Sequence, residues 1–303
     1  QPIRDADELT LLYATSALYG AGTGAWFLLQ TQPSSTLTAA LPFGALTAAP
    51  ILAVATVDGY SKLPRGLPHA LSAGAFLGLQ QGIWLVGYQD ARARRIEESD
   101  PNSSVRWTPE TNATLLWGSA IVGIAGGGLL GSTLETTPGR VSLTSSLTMW
   151  SGAILALGAG AVLPGDSRTR SEDAFLAGGA GTNAGLATGL LFAGRVSPSV
   201  ARVRITDLLG IAGGFTTGGI YLAFAGKLDT RLGEGLTALG ATAGLAAGWI
   251  VTSGMAKQLP ESLSAEPAEK RTASATKTST FDAVAPSLRM VPGGATLGLG
   301  GSF

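Results

Sequence analysis

The chain has 303 residues, of which 13% are charged, and its 20 Lys and Arg balance its 20 Asp and Glu. That balance leaves no electrostatic footprint for nucleic acid, and the absence of cysteine excludes disulfides, thiolate metal sites and thiol chemistry. A charged share about half that of an ordinary soluble domain and a positive mean hydropathy of +0.31 point toward lipid.

Taken in order, eight stretches free of Asp, Glu, Lys and Arg run from Leu9 to Gln30, Ser35 to Val57, Ala70 to Gln89, Thr111 to Leu134, Val141 to Leu163, Ala174 to Gly194, Leu208 to Gly226 and Leu236 to Ala256. Each has about the 20 residues a helix needs to cross ~30 Å of hydrocarbon. Five carry glycine at i, i+4 and i+8: Gly74/Gly78/Gly82, Gly123/Gly127/Gly131, Gly181/Gly185/Gly189, Gly210/Gly214/Gly218 and Gly240/Gly244/Gly248. With 44 glycines in the chain, chance gives roughly one such triple, so five mark a helix-packing face where neighbouring backbones approach closely. Looser triples of small residues, Ser16/Gly20/Gly24, Ala40/Gly44/Ala48 and Gly152/Ala156/Gly160, fill the other three. From Gly123 onward the triples start at 123, 152, 181, 210 and 240, and those at 16 and 74 lie 58 apart. This periodicity defines a helical-hairpin repeat.

Short connectors such as Gln32-Pro33-Ser34-Ser35, Leu163-Pro164-Gly165-Asp166 and Arg195-Val196-Ser197-Pro198 make neighbouring segments antiparallel. Pro42 and Pro50 predict a kinked, broken or re-entrant second segment. The domain reading is a three-segment block (1–89), a charged extramembrane connector (90–110), a regular five-helix block (111–256), a Ser/Thr/Ala/Pro-rich flexible linker (257–280) and a β-like tail (281–303). In the connector Arg92, Arg94, Arg95 and Arg106 face Asp90, Glu97, Glu98, Asp100 and Glu110, a self-neutralising surface. In the tail, two alternating runs flank Pro292-Gly293-Gly294, and Leu297, Leu299 and the terminal Phe303 share one face, suited to adding strands to a partner. The fold class expected is therefore an all-α membrane protein of eight glycine-faced transmembrane helices with a short C-terminal β-hairpin.

Chemistry is sparse. His69 is the single histidine, so neither a metal site nor a Ser-His-Asp arrangement forms around it. Gly126-x-Gly128-x-x-Gly131 lies inside an apolar helix with no strand before it and is not a nucleotide loop. No cofactor, metal or catalytic residue is expected. The polar residues within the apolar spans are the better candidates: Gln80, Gln81 and Asn183, with the hydroxyls Thr144, Ser145, Ser146, Thr148 and Ser151, either line a polar path or bond between and along helices. Asp207, with Arg202 and Arg204 just before it, reads as an interface cap or pair. Five tryptophans (26, 84, 117, 150 and 249) lie toward segment ends, as an aromatic belt would.

Gln1, in place of a start methionine, reads as a mature terminus after signal removal. Lys and Arg number 12 on the N-terminal side of the membrane and 8 on the other, a weak asymmetry. The Phe303-ended tail resembles the C-terminal strand signal of outer-membrane barrel proteins. Through Trp117-Gly118, Trp150-Ser151-Gly152, Arg204-Ile205-Thr206-Asp207-Leu208-Leu209-Gly210 and that tail, the chain resembles the uncharacterised Ala/Gly-rich helical-hairpin membrane proteins of myxobacterial type. That resemblance supplies no activity. The function expected is a non-enzymatic structural or assembly subunit of a bacterial envelope complex, outer membrane favoured, with the lipid bilayer and a homo- or hetero-oligomer as partners. The alternatives are a channel or transporter and a soluble or peripheral helical array.

Overall fold

Four of the connectors end in a side chain that starts the next helix. Ser35, Thr108, Thr137 and Asp166 are N-caps, each accepting a hydrogen bond from a backbone N–H of the first turn. Pro109 and Pro138 follow two of these caps at the one helical position where a missing N–H costs nothing. The computed structural model describes residues 6–134, 136–224 and 230–255, and the backbone of 285–291 and 294–300. Its helices are α1 (Ala6–Thr31), α2 (Thr36–Ser61), α3 (Leu67–Ser99), α4 (Pro109–Thr133), α5 (Pro138–Val162), α6 (Ser167–Val196), α7 (Val200–Phe224) and α8 (Thr230–Val251). Two strands, β1 (Ala285–Val291) and β2 (Gly294–Gly300), pair antiparallel with Leu288 opposite Leu297. The proposed linker 257–280 and Phe303 lie outside the described residues.

Consecutive helices pair into four hairpins, α1·α2, α3·α4, α5·α6 and α7·α8. The hairpins join by one rule applied three times. Each odd helix packs on the next odd helix (α1·α3, α3·α5, α5·α7) and on the even helix of the next hairpin (α1·α4, α3·α6, α5·α8). The odd helices thus form a parallel row, and α4, α6 and α8 each bridge two of its members. The sequence repeat is visible in the side chains. Trp26 stacks on Trp117 across α1·α4 with ring centroids 4.3 Å apart, and Trp84 meets Phe175 across α3·α6 at 6.2 Å. Both members of the second pair lie 58 residues beyond those of the first.

Three expectations change. Pro42 and Pro50 leave α2 a continuous helix of 26 residues, since flanking turns and neighbouring helices can satisfy the carbonyls that proline frees. The connector 90–110 is helical over its first half, because α3 runs on to Ser99, supported by Arg94 against Asp90 one turn earlier at 2.6 Å. Likewise α6 and α7 begin seven and eight residues before their charge-free runs. A charge-free run measures the length that suits lipid, whereas a helix continues for as long as its backbone is satisfied. Of the eight helices, five are long and apolar enough to cross a membrane: α2, α3, α4, α5 and α8. α1, α6 and α7 do not reach that apolarity.

Asp166 accepts from the backbone N–H of Thr169 (2.9 Å) and of Arg168 (3.1 Å), and these bonds, Thr169 foremost, hold its carboxyl below the ordinary range. A depressed folded-state pKa stabilises fully above the ordinary value of about 4, and the gain is lost as pH falls through the lower folded value. Asp166→Asn should therefore melt below wild type near neutral pH, with the gap narrowing toward about pH 2. Thermal melts across that range check this, and a gap independent of pH refutes it.

Candidate functional site: contacts between glycine-faced helices

Where two helices press together, the contact is largely backbone. On α3·α4, a methyl group added at Gly74 or Gly78 would lie 3.0 Å from the Cα of Gly127 or Gly123, and one at Gly123 would lie 2.8 Å from the Cα of Gly78. Gly127 returns the contact to Gly74, Gly82 faces the Cα of Leu116, and Gly131 faces Ala70 and Leu67. On α5·α6, Gly181, Gly185 and Gly189 press on Ser151, Thr148 and Thr144, the last two at Cα distances of 2.8 and 2.7 Å from the missing Cβ. On α7·α8, Gly244 meets the Cα of Gly210 (3.1 Å), Gly248 that of Thr206 (2.7 Å), Gly240 the side chain of Thr217, and Gly218 that of Thr237. Gly214 reaches only ordinary contact with Ala241, and Gly213 takes the seam beside Gly240 and Gly244. A four-residue spacing drifts around a helix of 3.6 residues per turn, so the seam slips to the neighbouring glycine. Among the looser triples, Gly20 and Gly24 press on Thr47 and Phe43 of α2, while Gly44 faces open space.

The amides sit beside this seam. Thr182 is fully buried; its hydroxyl donates to the Gly178 carbonyl (2.9 Å) and accepts from Trp84 Nε1 (2.8 Å) and Gln80 Nε2 (3.2 Å). Gln81 donates to Asn183 Oδ1 at 3.1 Å, and Asn183 is exposed on the outside of α6. Gln80, Gln81 and Asn183 therefore tie α3 to α6. Thr144 and Thr148 bond back to carbonyls of their own helix, and Ser146 donates to Asp207.

Asp207 also accepts from Trp150 Nε1 (2.9 Å), so it joins α7 to α5 and does not pair with the neighbouring arginines. Arg202 turns the other way. Its guanidinium lies 3.9 Å over the Trp249 ring and donates to the Trp249 carbonyl at 3.2 Å, a cation held at the C-terminal end of α8. The tryptophans act between helices more than as a belt: Trp26 donates to Thr114, Trp117 to Thr23, Trp84 to Thr182 and Trp150 to Asp207.

Sequence reading missed Glu8. It is 1% exposed and accepts from the Gly66 N–H at 2.7 Å, with Arg65 and His69 at 4.0 and 3.9 Å. Gly66 has φ +83°, and a Cβ there would run into the Thr136 carbonyl, so the position requires glycine. An acidic residue one position before an apolar run carries no signal in sequence that it will be buried. His69 is buried beside it.

On the opposite side, Arg95 pairs with Glu172 and Arg168 with Glu98, joining the extended ends of α3 and α6, while Arg106 of the loop after α3 pairs with Glu97 at 2.9 Å. Solvent screens the exposed pairs Arg168–Glu98 and Arg106–Glu97, whereas Glu172 is buried. Among the described residues no three His, Asp or Glu side chains gather as metal ligands would.

No known protein-family model matches this chain, and no curated protein or solved structure is similar to it.

Two outcomes follow from this geometry. Gly185→Leu or Gly244→Leu should lower stability in detergent by about 2–4 kcal/mol through overpacking, whereas Gly118→Ala and Gly126→Ala, which face open space, should raise it by up to ~1 kcal/mol. Thermal melts of the four variants check the contrast, and equal effects refute it. Thr182→Val removes the shared acceptor of Trp84 and Gln80 and should cost about 1–2 kcal/mol. Gln81→Leu, at the exposed pair, should change the melt little, and the reverse order would overturn the assignment.

Proposed function

We propose that the chain is a polytopic membrane protein whose eight helices all cross the bilayer, and that it serves as a non-enzymatic structural or assembly subunit of a bacterial envelope complex. One observation carries the membrane part: apolar character and burial run in opposite directions. The most apolar of the five candidate spans, α2, buries none of its most apolar stretch, α4 buries 6%, and α3, among the least apolar, buries 33%. Large side chains point outward, with Val122 72% and Phe215 78% exposed, while the buried apolar residues are mostly alanine. In water such a surface far exceeds the few hundred Å² of apolar patch that a soluble monomer tolerates. In lipid it costs nothing.

The scaffold reading is supported by how the polar groups are used. Gln80, Gln81, Asn183, Thr182, Ser146 and Asp207 each bond to another helix, which favours structural cross-links over the channel alternative. In the paired strands β1 and β2, Leu297 and Leu299 are the residues proposed to meet a partner sheet.

The protein should resist extraction from membranes by alkaline carbonate and should precipitate when detergent is removed. Liposomes containing it should show no ion flux, with or without Gln80→Ala. A monodisperse protein in plain buffer overturns the membrane reading, and flux that Gln80→Ala changes overturns the scaffold reading in favour of a channel.

A further inference from the structure

Interior hairpins are held from both sides along the row, and the end hairpins are not. α3 and α5 each have an odd neighbour before and after, whereas α7 packs on α8 and α5. Its buried residues, Arg202, Val203, Thr206, Gly210 and Gly214, fall on one side, and Arg204, Leu208 and Phe215 are exposed on the other. At the opposite end α2 packs on α1, whereas α4, α6 and α8 each pack on two odd helices. Among the described residues no helical hairpin follows the last one, and no odd helix precedes the first. These are the two halves of the contact that the chain makes internally three times.

We propose that a second copy of this chain fills that place, its α1 and α2 docking on the exposed face of α7, so that copies join head to tail. The inference rests on the membrane-scaffold reading and names its partner. Because the odd helices run parallel, a copy added by this rule keeps the same orientation across the bilayer, as an inserted protein must. The contact is heterologous, with different surfaces on the two partners, so it can propagate.

The register is taken from the last internal step, α5·α7, with positions counted from the small-residue triples. Ser146 and Trp150, six and two residues before Gly152, meet Asp207, three before Gly210. Moved one step along the row, these positions are Arg204 and Leu208 on α7 and Tyr13, three before Ser16, on the next copy. Leu208 is 63% exposed, Arg204 is exposed and Tyr13 is half-buried, and a guanidinium beside a phenol ring is itself a favourable contact. Leu143 clusters with Val203 across α5·α7 in the same way, and its translated counterparts are Ala201 and the next copy's Leu9.

The chain has no cysteine, so engineered pairs report without background. Leu208→Cys and Tyr13→Cys chains are to be co-expressed, and their membranes oxidised. The expected result is a cross-linked dimer at least tenfold above that from either variant alone, and a ladder of dimer, trimer and higher species when both changes are in one chain. Ala201→Cys with Leu9→Cys repeats the measurement at the second contact should Tyr13→Cys fail to fold. Equal dimer from Leu208→Cys alone, or no cross-link from either pair in membranes that still resist carbonate, overturns the head-to-tail contact and leaves the membrane reading standing. Release by carbonate overturns the membrane reading itself.

Discussion

Backbone against backbone is the contact on which the structure depends. Where Gly74 and Gly78 lie against Gly123 and Gly127, no side chain separates the helices, and dispersion and Cα–H···O contacts act over a long seam at short range. Burying apolar surface cannot be the drive when the surroundings are as apolar as leucine. Close fit is what remains, and it explains why most buried residues are Gly, Ala, Ser and Thr while most Leu, Ile and Phe side chains face outward. It also explains why substitution at the seam differs from substitution one turn away: the same methyl group overlaps a backbone at Gly123 and meets nothing at Gly118.

The same constraint turns the sequence repeat into a spatial one. A seam specifies only that two helices approach, and the aromatic and polar pairs set how far one slides along the other. Trp26 with Trp117 and Trp84 with Phe175 hold two successive hairpin contacts in equivalent register. Extra residues are accommodated only outside this zone. The triples of α3 and α5 start 78 residues apart, at 74 and 152, instead of 58, and the excess forms the extension of α3 to Ser99 and the loop that follows. The seam keeps its phase because the insertion lies where charged pairs such as Arg106 with Glu97 suit water.

Which parts were legible in the sequence follows from the same physics. Helix number and hairpin order were readable because spacing along a helix is a local property. Helix ends at Ser99 and Ser167 were not, since the absence of charge reports on lipid and not on backbone hydrogen bonding. The slip from Gly214 to Gly213 was hidden by the assumption of a fixed four-residue step. Partners of the polar groups lay out of reach for another reason. Asp207 stands beside Arg202 and Arg204 in sequence, yet bonds to Ser146 and Trp150 some 60 positions away, a choice that only the packing of α5 on α7 decides. Glu8 is the extreme case: its burial follows from the Gly66 turn docking on it, which nothing near Glu8 announces.

The distribution of polarity bears on what such an array can do. A conduit needs polar groups whose hydrogen-bonding capacity is left for the permeating species or its water. Here Thr182 serves three bonds at once, Trp84, Gln80 and its own Gly178 carbonyl, and Asn183 accepts from Gln81 while donating to the Gly179 carbonyl. Groups committed in this way hold helices in register and are expensive to separate in hydrocarbon, where no solvent replaces a broken bond. Stiffness along the row then depends on polar links placed at each step, Glu8 with Gly66 from α1 to α3, Gln80 with Met149 from α3 to α5, and Asp207 with Ser146 from α5 to α7. Each joins consecutive odd helices, so the polar groups reinforce the direction in which the repeat advances.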